Sequence, residues 1–132
     1  MLKDLYLIVV GSRTFHDYNL LKEECDKALK DMMTDYDTYY VIHIVSGGAR
    51  GADALAEKYA KEREYDMIVF PADWNTYGKS AGYKRNALMQ ETISQYPNRM
   101  CIAFWDGMSK GTQHNFGLCN KYKTELRVVE YH

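Results

Sequence analysis

Four short stretches of this sequence carry most of the residues able to handle an anion. They are GSRTF (Gly11–Phe15), SGGARGAD (Ser46–Asp53), PADWNTYGKSAGYKRN (Pro71–Asn86) and WDGMSKGTQHN (Trp105–Asn115). In the second, Gly47, Gly48 and Gly51 let bare backbone come close to a ligand. Arg50 lies inside the turn with a forked set of donors suited to phosphate oxygens. The pattern then starts a helix at Ala52, and a helix N-terminus offers unpaired N–H groups and the positive end of a dipole. Asp53, in the first turn of that helix, has two readings. It complements the dipole and caps neighbouring N–H groups, or it binds a ribose hydroxyl. The stretch is neither GxGxxG nor GxxxxGK[ST], so the loop alone names no ligand.

The same arrangement recurs in the fourth stretch. Gly107, Ser109, Lys110, Gly111 and Thr112 precede the last predicted helix, with Ser109 a candidate N-cap. Two such turns can hold two phosphates, or a phosphate and a sugar, while capping alone is the other reading of Ser109 and Thr112. In the first stretch Gly11, Ser12 and Arg13 follow a strand, which points Arg13 at the crevice beyond the strand end; Thr14, His16 and Asp17 start the next helix. In the third, Trp74 and Tyr77 either stack on a base or pack over the sheet edge. Lys79, Tyr83 and Asn86 share one helix face, with Arg85 and Asn86 expected to touch the ligand and Lys84 to be solvated. His16, His43, His114 and His132 show no metal-ligand spacing, so no resident metal is expected. Asp53, Asp73 and Asp106 fall at the same edge and offer Mg²⁺ a place only together with a nucleotide phosphate. Nothing resembles a GxSxG elbow, so acyl transfer has no support.

The elements that must position these residues follow from the apolar runs. LYLIVV (Leu5–Val10), YYVIHIV (Tyr39–Val45), MIVF (Met67–Phe70), RMCIAFW (Arg99–Trp105) and LRVV (Leu126–Val129) read as strands, several of them dense enough for burial on both faces. Between them, Tyr18–Met33, Ala52–Arg63, Ser80–Tyr96 and Gly111–Tyr122 read as helices. Alternating strands and helices predict a three-layer, Rossmann-like open parallel sheet of about five strands, in order 3-2-1-4-5, with helices on both faces. All four odd stretches then lie at the carboxyl edge, where open α/β sheets bind ligands.

At 132 residues, with 46% hydrophobic and 27% charged, the chain suits one globular domain over residues 1–132. Cys25, Cys101 and Cys119 are widely spaced and read as small buried hydrophobes of a reducing compartment. Met1 runs almost directly into a strand, and no apolar run reaches membrane-spanning length, so a cytoplasmic protein without a membrane partner is expected. A net charge of −1 argues against non-specific nucleic-acid binding, which draws on a basic excess. A single-stranded DNA reading would rest on Lys79, Lys84, Arg85 and Lys110 with Trp74 and Tyr77.

GSRTFHDY, VSGGARGADALAEKYA, FPADWNTYGKSAGYKRNALM and FWDGMSKGTQHN together resemble the YspA/YpsA-related branch of the SLOG superfamily, across about the whole chain and in order. That superfamily also includes the DNA-processing protein A core and the Lonely Guy phosphoribohydrolases. The resemblance implies a Rossmann-like fold that binds a nucleotide or ADP-ribose-like ligand, as a sensor or as a nucleotide-processing enzyme of phage or bacteria. Lonely Guy enzymes carry GGxGTxxE after the fourth strand, with a catalytic glutamate. Here the stretch is Gly111-Thr112-Gln113-His114-Asn115, and an amide stands at the glutamate position. An amide cannot act as a general base. The expectation is therefore a ligand-binding domain first. A phosphoribohydrolase-type enzyme is the alternative, with Asp53, Asp106 and His114 its candidate catalytic groups. An open pocket of this kind also suits closure by a second subunit.

Overall fold

The computed structural model describes residues 1–132. Its centre is β1 (Leu2–Gly11), whose Leu5–Val10 segment is fully buried because both faces of the strand are covered. Alternation divides the strand. Leu5, Leu7 and Val9 join the larger core with α1 (Tyr18–Met32) and α2 (Ala52–Arg63). Tyr6, Ile8 and Val10 face α4 (Ala81–Ile93) and α5 (Lys110–Tyr122) on the other side. The remaining strands are β2 (Tyr39–Ser46), β3 (Asp66–Val69), β4 (Arg99–Trp105) and β5 (Leu126–Glu130). They form one sheet in the order β3-β2-β1-β4-β5, with every pairing parallel. The fold is thus the three-layer α/β arrangement that the alternation predicts. The chain leaves β1 for β2 on one side and returns to β4 on the other, which opens a crevice between their carboxyl ends.

Departures from the sequence reading have local causes. β1 starts at Leu2 because that residue already pairs with Tyr39, and the Tyr39 N–H donates to the Met1 carbonyl (2.8 Å). The helix expected over 80–96 spans Ala81–Ile93, after which the Tyr96 N–H turns back to the Ile93 carbonyl (3.0 Å) ahead of Pro97, a residue that disfavours helix in the position before it. The long third connector folds into a further short helix, α3 (Trp74–Tyr77), and a 3-10 turn (Gly78–Ser80). Asp73 caps α3 by accepting from the Thr76 N–H (3.1 Å). All three cysteines are buried and unpaired. His43 lies in mid-strand between Asp66 (2.6 Å) and Asp4 (2.9 Å), stacked on the Tyr6 ring. Burial lowers its pKa, but the hydrogen bonds to the two carboxylates outweigh burial, so the imidazolium is favoured.

Candidate functional site

A cleft of about 360 Å³ opens at the carboxyl edge of the sheet, within the size range of small-molecule pockets. Its walls come from the four connectors that the sequence singles out. From the predicted set, Gly11, Ser12, Arg13, Gly47, Asp53, Trp74, Lys79, Arg85, Asn86, Asp106, Ser109, Gly111 and Thr112 all line it. A second concavity of about 400 Å³ adjoins the first and takes in Gly48 and Arg50.

The β2–α2 loop is built by close backbone packing. Gly51 has φ +73°, and a Cβ there would overlap the backbone of Ser12 and Arg13, so the loop after β1 lies directly on it. The Ala52 N–H donates to the Ser12 carbonyl (3.3 Å), which consumes the first free donor of α2. The N–H groups of Asp53 and Ala54 keep no protein acceptor. Gly47 is crowded by a side chain rather than by backbone. The Arg85 guanidinium lies where its Cβ would be, with Nη1 donating to the Gly47 carbonyl and Nε to Asn86 Oδ1 (2.8 Å).

Asp53 is buried (6% exposed) and accepts from the Ala49 N–H (3.1 Å). Burial pushes its pKa up, only partly offset by that hydrogen bond and by the nearby Arg85 charge. Burial correspondingly pushes the Arg85 pKa down, against the pull of Asp53. A buried carboxyl of raised pKa in a cleft is the kind of group that acid–base chemistry uses.

The β4–α5 loop is organised differently. Asp106 accepts from the N–H groups of Met108 (2.9 Å) and Ser109 (2.8 Å), and these bonds hold its pKa below the usual carboxylate range. Ser109 caps α5, accepting from the Thr112 N–H (3.3 Å). The N–H groups of Lys110 and Gly111 remain open.

Five predicted residues stand apart from both concavities. Ser46 is fully buried, its Oγ accepting from the Gly48 N–H (3.3 Å). Gly51 is covered by the β1 loop, and Gly107 shapes the turn with φ +83°. Tyr77 stands outside with the Lys84 ammonium over its ring (4.9 Å), so Lys84 has a partner that the sequence reading did not give it. His114 packs behind the wall, edge-on to Tyr83, and burial lowers its pKa. Asp53, Asp73 and Asp106 each serve their own loop, and no three His, Cys, Asp or Glu side chains are gathered as a metal set.

Part of the cleft floor, and the buried residue that supports it, escape the sequence reading. Asn115 forms part of the cleft floor, its Oδ1 accepting from Gln90 Nε2 (3.0 Å) and its Nδ2 donating to the Gly111 carbonyl (3.3 Å). Gln90 itself is fully buried. The available signal is the pair of amides Asn86 and Gln90, four apart on a helix face that also carries Met89 and Ile93.

The fold and its glycine-lined edge define an α/β domain of the Rossmann-like class. The chain belongs to the YspA, cpYpsA-related SLOG family, whose model matches residues 6–77. It is 34% identical over 113 residues, 82% of each chain, to the Gene 61 protein of Mycobacterium phage D29. Membership suggests a nucleotide-related ligand-binding or processing role. No helix is long and apolar enough to cross a membrane.

Proposed function

We propose that this protein is a single SLOG-type domain that binds a phosphate-bearing, nucleotide-derived ligand in the edge cleft, as a cytoplasmic sensor or ligand-binding domain. One observation carries the reading. Arg13, Lys79 and Arg85 line the same cleft as two helix N-terminal turns that retain open N–H groups. In such a site the phosphate lies against Arg13 and Arg85 beside the Gly47 loop, where charge-assisted bonds are strongest. Asn86, Asn115 and Thr112 face the sugar, and Trp74, half exposed at the mouth, offers a ring to the base. A thermal-shift screen of nucleoside mono- and diphosphates tests this. Ligand at a hundred times its Kd adds about 2.7 kcal/mol of stability, several degrees in this chain. Absence of a shift with every member of the panel contradicts the reading.

Asp53 favours a second reading, a nucleotide-processing hydrolase acting at the N-glycosidic bond. Its raised pKa leaves it able to donate a proton to a departing base, as Asp106, held ionised by two N–H groups, cannot. Incubation with nucleoside monophosphates and chromatography for free base decides between binding and turnover. Release at equal rates by wild type and Asp53→Ala removes Asp53 from any mechanism.

A further inference from the structure

The two concavities share a wall that carries two arginines. Arg13, Gly47, Ala49, Trp74 and Arg85 line both. Arg13 lies over the Trp74 ring (5.5 Å) and so spans from the β1 loop to α3, while Arg85 is pinned to the Gly47 carbonyl. Acidic groups are distributed unevenly across this wall. Asp53 and Asp106 line only the first chamber. The second has Arg13, Arg50 and Arg85 and no carboxylate, with Ala54, Pro71 and Ala72 as its apolar lining.

The donors there are unspent. Neither Arg13 nor Arg50 makes a hydrogen bond or ion pair within the protein, and Arg85 keeps Nη2 free. Each guanidinium holds five N–H donors in a fixed fork. Ala54, which lines this chamber, is also one of the α2 residues whose N–H lacks an acceptor. On the opposite side of the wall the loop's Ala49 donor is already taken by the Asp53 carboxylate, which repels an anion whenever it is ionised. Charge and open donors therefore both place an anion in the second chamber. Its charge decides the anion's size. A single phosphomonoester carries about −1.5 to −2 near neutral pH, short of three guanidiniums. A second phosphate brings the balance to parity.

We propose that the second chamber is a diphosphate seat, built by Arg13, Arg50 and Arg85, and that the ligand is a nucleoside diphosphate threaded across the Arg13–Trp74 wall. Its nucleoside lies in the first chamber, and its terminal phosphate reaches Arg50. The second half of this statement rests on the nucleotide-binding reading above; the seat itself does not.

The test titrates inorganic pyrophosphate, a nucleoside monophosphate and the matching diphosphate into wild type and Arg50→Gln, by calorimetry. Arg50 is exposed and unpaired, so its replacement leaves the fold in place, which circular dichroism checks. Wild type is expected to bind pyrophosphate and to bind the diphosphate about tenfold or more above the monophosphate. Arg50→Gln is expected to lose that preference and the pyrophosphate affinity while keeping the monophosphate affinity within about twofold. Pyrophosphate binding without binding of either nucleotide upholds the seat and overturns the nucleotide reading. Nucleotide binding that Arg50→Gln leaves unchanged, or weakens equally for both nucleotides, overturns the seat and leaves the nucleotide reading standing. Failure of wild type to bind pyrophosphate or either nucleotide overturns both.

Discussion

The β2–α2 and β4–α5 loops look alike as sequence, each a glycine-rich turn with an aspartate close to the start of an anion-ready helix. In the structure they solve the same problem in opposite ways. The first is locked from outside, with Gly51 pressed under the β1 loop and the Ala52 N–H given to Ser12. Its aspartate is buried and pushed toward its neutral form. The second is organised mainly from within, by Asp106 and the Ser109 cap, with side-chain bonds out to Ser12 and Asn86, and its aspartate is held ionised. Similar composition therefore does not mean similar chemistry. Both carboxyls accept loop N–H groups, but the one also buried beside an arginine has the shifted acid–base behaviour that function uses.

The glycines give the sharpest way to break this comparison. Gly51→Ala forces φ +73° on a residue with a Cβ and drives that Cβ into the Arg13 backbone. A loss of about 3 kcal/mol is expected in urea unfolding. Gly111→Ala adds a methyl that meets nothing, at an ordinary helical φ, and is expected to gain about 0.4–1 kcal/mol. Equal effects at the two glycines would show that the first loop is not locked by the β1 backbone.

Next in size is the N-cap. Ser109→Ala removes the acceptor for the Thr112 N–H and is expected to cost about 0.5–2 kcal/mol. Gly51, at the corresponding position of α2, has no side chain to lose, so the first loop's stability resides in packing.

The two aspartates give opposite pH slopes. Asp53, with its pKa raised on folding, contributes stability below the ordinary carboxyl value of about 3.9 that is lost as pH rises through the raised value. Asp53→Asn is expected to escape that loss and to gain on wild type toward neutral pH. Asp106, with its pKa lowered, contributes stability above about 3.9 that is lost as pH falls through the lowered value. Asp106→Asn is expected to be weaker than wild type near neutrality and to converge with it in acid. Melting temperatures of the three proteins between about pH 3 and 7 check both signs.

How far the sequence carried the fold can be seen element by element. The limits of α2 and β4 and the strand order follow from apolar runs and turn residues, because those signals are local. The convergence of four connectors on one edge follows from parallel topology alone. What escaped were features decided by contacts between distant segments. Nothing local tells that Arg85 lies along Gly47, that Arg13 reaches Trp74, or that these contacts divide the edge into two chambers. Tyr77 was unreadable for the same reason, since α3 turns it outward under Lys84. Gln90 and Asn115 pair across two helices, and only the amides on an otherwise apolar face of α4 hinted at it.

The central claim is that the open N–H groups at this edge receive a nucleotide's phosphate. Titration of isotope-labelled protein with a nucleoside diphosphate, followed by amide NMR, reads those groups directly. Saturable shifts largest at the amides of Asp53 and Ala54, with the far end of the sheet around His43 silent, are the predicted result. Absence of saturable shifts, or shifts centred away from the cleft, would contradict it.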